Sequence, residues 1–289
     1  MASIKYLLSN KADHQWGITT RTVGLQDVPP GSPYPMGQHP DDYAFLTDMG
    51  RKLREIQIVY IPRGTGWFAS EHQPRIHLHA GDAMVLYPGE WHSYAPSPDT
   101  GWTEAWIGFA GEYAEQLLTR FFPDKTQPVH HVGLSEELIA TFEKACEVAE
   151  QQRPAYQQML TGYITLMLSL IYFGERQQIY PADRDGDAIM KAQQLMRQQL
   201  HSNLSMEQVA ADVGMGYSKF RKLFKDYTGF SPAQYFLRLK MERAKDYLLG
   251  TRLSCKEIAF RLGYDSAPYF NKMFRLYQKQ TPMEYRAGG

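Results

Sequence analysis

A pattern that occurs twice near the C-terminus limits what this chain can fold into more than any other feature. The first copy runs Glu207-Gln208-Val209-Ala210, Val213-Gly214, Phe220, Phe224, Tyr227, Ser231-Pro232 and Tyr235. The second runs Lys256-Glu257-Ile258-Ala259, Leu262-Gly263, Phe270, Phe274, Tyr277, Thr281-Pro282 and Tyr285. The offset is 49 residues up to the glycine and 50 after it, which puts one extra residue in the turn of the second copy. A shift confined to a turn, with both flanking helices kept in register, is the signature of a duplicated helix-turn-helix.

Each copy reads physically. Ala210 and Ala259 allow a first helix to pack closely on a second, and Gly214 and Gly263 end that helix where the backbone needs a positive φ. Phe220 and Phe224, like Phe270 and Phe274, are spaced i, i+4 and bury one face of the second helix. Ser218, Lys219, Arg221 and Lys222 then face outward in the first copy, and Asn271, Lys272 and Arg275 in the second. A single copy could be an amphipathic hairpin with solvated charges; two copies with matched turns argue against that.

Charge separates along the chain. Residues 1–180 carry 13 Lys+Arg against 20 Asp+Glu, and residues 181–289 carry 18 against 11, a balance of −7 followed by +7. A basic region coinciding with a repeated helical motif is the electrostatic footprint of a phosphate-binding surface. The two cysteines, Cys146 and Cys255, lack metal-ligand spacing and fit a reducing cytosol. The N-terminus shows no apolar signal region, and the most apolar stretch, 159–173, is interrupted by Thr161, Gly162, Thr165 and Ser169. It is shorter than the roughly 20 residues of a membrane span, so a buried helix is expected and a membrane is not.

The fold class expected is α+β. Residues 1 to about 50, with Pro29-Pro30-Gly31-Ser32-Pro33 and Pro40-Asp41-Asp42, read as an arm with little regular structure. Short β-branched or aromatic runs follow at 56–61, 75–79, 83–87 and 104–109, separated by glycine turns, which suggests an antiparallel barrel or sandwich. A helical period takes over at Leu134, Leu138, Phe142, Ala145 and Ala149, and the 159–173 helix comes next. We place a linker at 181–187, between a first domain at 1–180 and an all-α domain at 188–289.

At this point the residues resemble a known family. The doubled motif, Tyr235 with Arg238 and Arg243-Ala244-Lys245, and the ending Tyr269-Phe270-Asn271-Lys272-Met273-Phe274 with Thr281-Pro282-Met283-Glu284-Tyr285-Arg286 are similar to the paired helix-turn-helix domain of AraC/XylS-type transcriptional regulators. The run from Gly81 to Tyr94 and the following Gly101-Trp102-Thr103-Glu104-Ala105-Trp106 resemble the cupin-like sensor domain of that family's sugar-responsive members. Two positions depart from the pattern: Gly216 stands where a serine usually opens the first recognition helix, and Lys279 where a glycine usually follows the last.

The resemblance implies double-stranded DNA as a partner, with the second helix of each copy in the major groove. Ser218, Arg221 and Lys222 occupy the groove-facing positions of the first copy, and Ala267, Asn271 and Lys272 those of the second. Arg221 suits a guanine edge and Asn271 an adenine, while Lys219, Lys225 and Arg275 suit phosphates. In the barrel the resemblance places a small-molecule effector, expected to be a monosaccharide or related sugar, against Tyr94, Glu104 and Trp106, and Arg51, just before the first core strand, is the expected fourth member. Glu104 and Trp106 are i, i+2 and share a face, and an inward carboxylate costs several kcal/mol unless it is paired or binding something. A homodimer formed through the helix at 134–149 and a contact with RNA polymerase are also implied. No cofactor, metal or catalysis is expected. His77 and His79 invite a metal-cupin enzyme reading, but Gly81-Asp82 follows them at once, whereas metal cupins place such a pair a strand earlier. A regulator sensing a non-sugar ligand is the other alternative.

Overall fold

The computed structural model describes residues 3–36, 46–179 and 184–288, and the chain divides into two compact units, Met1–Ile179 and Tyr180–Gly289. The strands described in the first unit are β1 (Ser3–Tyr6), β2 (Thr19–Val28), β3 (Arg51–Lys52), β4 (Ile56–Gly64), β5 (Gly66–Ser70), β6 (Ile76–Leu78), β7 (Asp82–Leu86), β8 (Trp91–Pro96), β9 (Trp102–Ala110) and β10 (Val129–His131). Every pairing is antiparallel, in one sheet of order β1-β2-β9-β4-β7-β10 and a second of order β3-β8-β5-β6. Helices α1 (Lys11–His14), α2 (Glu112–Phe121), α3 (Glu136–Gln151) and α4 (Tyr156–Ile179) complete the unit.

The two-residue period of a strand sorts the central strands into two cores. Ile56, Ile58, Tyr60, Ala83, Val85, Ala105, Ile107 and Phe109 share a core with Leu138 and Phe142 of α3 and Leu160 and Ile164 of α4. Val59, Ile61, Met84, Leu86, Trp102 and Trp106 face the other way and meet Phe68, Leu78 and Tyr94 of the smaller sheet. Burial on both faces is why β4, β7 and β9 read as nearly unbroken apolar runs rather than alternating ones.

The N-terminal segment corrects the expectation of an unstructured arm. β2 is a ten-residue strand inside the larger sheet, between β1 and β9 and paired with β9 from Thr19↔Ala110 to Val28↔Trp102. Its inward positions include Thr20, Thr22 and Gln26, so its composition looked polar although all three are buried. Pro40-Asp41-Asp42 lies outside the described residues, as do 181–183 of the expected linker, and residues 184–187 form the first turn of a helix.

The second unit is helical: α5 (Arg184–Gln198), α6 (Met206–Asp212), α7 (Tyr217–Thr228), α8 (Pro232–Gly250), α9 (Cys255–Arg261), α10 (Ala267–Gln278) and α11 (Pro282–Gly288). Serine hydroxyls open four of these helices: Ser205, Ser231, Ser254 and Ser266 accept from the backbone N–H three residues on. Such a cap contributes about 1 kcal/mol. Phe220, Phe224, Phe270 and Phe274 are fully buried, as their i, i+4 spacing requires. Both departures from the family pattern keep the helix boundary they stand at. Gly216 caps α7 without a side-chain bond, and Lys279 takes the left-handed conformation (φ +62°) of its counterpart Gly229 (φ +75°), its N–H donating to the Arg275 carbonyl. The helix ends alike in both copies, and Lys279 bears the roughly 1–2 kcal/mol cost of a Cβ in that region.

Candidate functional site

The barrel interior brings together the four residues expected to face an effector. Arg51 enters from β3, Tyr94 from β8, and Glu104 and Trp106 from the inward face of β9; all four line one cavity with Tyr6, Thr22, Gln26, Tyr34, Pro35 and Gln57. Glu104 is 3% exposed. Its carboxylate accepts from Gln26 Nε2 at 2.5 Å and from the Tyr34 hydroxyl at 3.0 and 3.3 Å. Gln26 stands directly opposite Glu104 in the β2–β9 register, so the sheet itself sets that bond. Burial raises the Glu104 carboxyl to about 7, against the lowering effects of these donors and of the Arg51 charge.

Arg51 forms the other pole. Its Nη2 donates to the Tyr94 hydroxyl at 2.9 Å and to Gln57 Oε1 at 3.3 Å, and its Nε donates to His92 Nε2 at 3.4 Å. Burial, reinforced by the Arg51 charge, drops His92 to about 3, so its ring is neutral and can accept that bond. Burial also raises Tyr34 and Tyr94, which keeps both phenols protonated as donors. Tyr34, Tyr94 and Trp102 form an aromatic wall, with ring centroids 5.8–6.3 Å apart. Gly24 lies beneath the Trp106 indole, where a Cβ would overlap the ring, so β2 can approach that closely only as glycine.

The sequence reading passed over Gln26, Tyr34 and Gln57. The β2–β9 register sets Gln26 opposite Glu104, Tyr34 reaches Glu104 from the segment after β2, and Gln57 of β4 meets Arg51; no local pattern encodes any of these placements. His77 and His79 are exposed, His92 is committed to Arg51 within the interior, and among the described residues no group of three His, Cys, Asp or Glu is placed to hold a metal ion.

In the second unit Ser218, Lys219, Arg221, Lys222 and Lys225 project from α7, and Asn271, Lys272 and Arg275 from α10, all exposed. Asn271, Lys272 and Arg275 line one side of a surface cleft of about 490 Å³ with Leu276, Lys279 and Thr281. Two assignments change. Ala267 is half-buried against the second helical core; counted from the paired phenylalanines, the counterpart of Ser218 is Pro268 and that of Lys219 is the exposed Tyr269. Lys219 pairs with Asp185 of α5 at 2.6 Å while staying exposed, so that carboxylate competes with a phosphate for it. Exposed cations and amides on the second helix of a helix-turn-helix are the groups that contact duplex phosphates and base edges.

Comparison with known proteins agrees with both units. A family model described as an AraC-like ligand binding domain matches residues 33–168, and one described as a helix-turn-helix domain matches residues 209–288. The chain is 28% identical to the MmsAB operon regulatory protein of Pseudomonas aeruginosa, over 79% of this chain and 74% of that one. It is 28% identical to the raffinose operon transcriptional regulatory protein of Pediococcus pentosaceus, over 83% and 88%. It is 24% identical to the arabinose operon regulatory protein of Salmonella typhimurium, over 72% and 75%. A ligand-binding barrel followed by a duplicated helix-turn-helix, matched along most of the length of these regulators, places the chain in the AraC/XylS family of DNA-binding transcriptional regulators.

Proposed function

We propose that the effector is a monosaccharide or a closely related polyol bound at Glu104, and that the cavity is a sensing site rather than a catalytic one. Glu104 carries this reading. It is a buried carboxylate held by two neutral donors, in a cavity that also offers the Arg51 guanidinium and aromatic faces. Sugar hydroxyls can satisfy those polar groups while the rings cover C–H surfaces. The raffinose and arabinose operon regulators among the relatives support the same class.

The cavity as it stands encloses about 30 Å³, close to one water's share of liquid volume and far below the several hundred Å³ of a ligand pocket. Tyr34 is the reason, because its hydroxyl sits on both Glu104 oxygens. Effector entry therefore displaces the Tyr34–Pro35 segment, and an effector hydroxyl takes over its place on the carboxylate. A ligand with that differential contact shifts the population toward the opened state and so changes how the DNA-binding units are presented to DNA and RNA polymerase. A thermal-shift screen of the protein against a sugar panel tests this. All five tryptophans lie at or before Trp106, so tryptophan fluorescence reports the first unit alone. At a hundredfold excess over Kd, one sugar should raise the midpoint by about 5–10 °C. That shift should be lost in Glu104→Gln; a panel with no hit moves the reading to a non-sugar effector.

We also propose a homodimer, but through α4 rather than the helix at 134–149. Leu138, Phe142, Ala145 and Ala149 of α3 are buried in the unit's own core, leaving no apolar seam to share. On α4, Met159, Gly162, Leu166, Ser169 and Phe173 recur at three- and four-residue intervals and are exposed. No charged residue occurs from Tyr156 to Gly174. A neutral seam with that period, large and small side chains alternating, suits a second copy of itself across a two-fold axis. Leu166→Glu sets like charges against each other in such an interface. It is expected to weaken dimerisation at least about 100-fold, roughly 3 kcal/mol, in sedimentation experiments. Unchanged association would exclude α4.

No helix among the described residues is long and apolar enough to cross a membrane. With cysteines unpaired, we place the protein in the cytoplasm.

A further inference from the structure

The two helix-turn-helix halves have separate apolar cores. One gathers Val209, Phe220 and Phe224 around Phe236, near the start of α8; the other gathers Ile258, Phe270 and Phe274 around Met241 and Leu248, toward its end. Apolar packing therefore fixes each half on α8 but does little to fix one half against the other.

Two cations on α8 reach across. Lys240 is 6% exposed, unusual for a lysine, and its Nζ donates to the Ser202 carbonyl at 2.9 Å. The same ammonium lies 4.8 Å from the centroid of Phe236, in the first core, and 5.1 Å from that of Tyr264, in the second. Arg238, two residues earlier and so on nearly the opposite side of the helix, has its guanidinium 4.3 Å from the Phe230 ring and 5.4 Å from the Tyr277 ring. Phe230 follows the first reading helix, and Tyr277 belongs to the second. The loop that supplies Ser202 also presses on the turn of the second half: a Cβ on Gly263 would stand 2.5 Å from the His201 carbonyl oxygen.

We propose that Lys240 and Arg238 form a two-sided cation clamp that fixes the angle between α7 and α10, and so selects a single spacing between the two groove segments one subunit reads. The inference rests on the reading that both helices enter successive major grooves, about 34 Å apart on one DNA face. An ammonium on a carbonyl and between ring faces is directional, which an apolar side chain of equal volume is not. Buried charge is weak evidence for stability, and in some systems it serves conformational specificity, the role the clamp assigns to Lys240. Burial of Lys240 has a cost, visible in its pKa, which burial lowers to about 8 against the raising effect of Asp265. The two residues position the reading helices without touching DNA bases themselves.

The test is selection from a randomised duplex pool with the full-length chain, carried out for the wild type, Lys240→Met, Arg238→Gln and Arg238→Lys. In the wild-type pool each half-site should hold two submotifs at one dominant spacing. Lys240→Met and Arg238→Gln should recover the same submotifs with the dominant spacing losing about half its share to neighbouring ones, each base pair turning the second groove by about 34°. Arg238→Lys, which keeps the cation, should restore the single spacing. If Lys240→Met melts below the selection temperature, exposed Arg238 decides alone. Wild-type spacing in Arg238→Gln and in any folded Lys240→Met overturns the clamp and leaves the two-groove reading intact. A wild-type pool with no two-part motif overturns that reading and the clamp with it.

Discussion

The first unit should lose stability as the pH rises from about 4.5 to about 7, and Glu104→Gln should remove that loss. Burial lifts the folded carboxyl to about 7 from an ordinary 4.5, more than Gln26, Tyr34 and Arg51 together pull it down. Between those values the folded chain keeps a proton that the unfolded chain has released. Stability therefore falls with pH across the window and levels off above it, the reverse of a salt-bridged carboxylate. A shift of this size corresponds to on the order of 3 kcal/mol between the plateaus. Urea titrations followed by tryptophan fluorescence isolate the first unit, since the second contains no tryptophan. Subtracting the Glu104→Gln profile cancels the other titrating groups. Parallel profiles would mean that Glu104 is solvated in solution and that the cavity is already open. The same linkage separates classes of effector. A ligand whose hydroxyls donate to an ionised Glu104 gains affinity up to about tenfold per pH unit below 7, whereas one that accepts from the protonated acid loses affinity as the pH rises.

The sequence disclosed these two units unequally. The helix-turn-helix pair was legible because everything that specifies it is local: i, i+4 phenylalanines, serine caps and a turn glycine within each copy. In the barrel the legible strands were β4, β7 and β9, whose two-sided burial leaves runs such as 56–61 apolar throughout. β2 was missed because its buried positions include polar side chains: Thr22 and Gln26 are held by hydrogen bonds to Glu55 and Glu104, and the backbone N–H of Thr20 donates to Gln157. The cavity shows the same limit. Resemblance to a family supplied Tyr94, Glu104 and Trp106, and position before the first core strand supplied Arg51, whereas Gln26 and Tyr34 reach Glu104 from 78 and 70 residues away in sequence. Nothing local in the sequence marks Lys240 as buried; the Ser202 carbonyl and the Tyr264 ring, both distant in sequence, help to enclose it. α3 failed as a dimer seam for a related reason, because the sequence shows that a helix has an apolar face but not which surface covers it.

The duplication also allows one substitution to be made twice, in equivalent turns with unequal surroundings. Gly214 and Gly263 both close the first helix of their copy in the left-handed region, at φ +74° and +68°. Alanine at either site incurs the same backbone penalty, about 1–2 kcal/mol. Around Gly214 nothing lies within 4 Å of a new Cβ, so Gly214→Ala should cost that much and no more. Around Gly263 the new atom meets the His201 carbonyl oxygen at 2.5 Å and its carbon at 2.8 Å, both backbone atoms that cannot rotate away. Gly263→Ala should therefore cost about 2 kcal/mol more than Gly214→Ala, read from the far-UV circular dichroism transition of the second unit. Tryptophan fluorescence, confined to the first unit, should not change in either variant. The loop that must yield is the one that holds Lys240 through Ser202. Gly263→Ala should consequently loosen the spacing between the two groove-reading helices as Lys240→Met does, while Gly214→Ala leaves it sharp. Equal costs at the two glycines would mean that the halves do not press on each other there, and that α8 alone sets their angle.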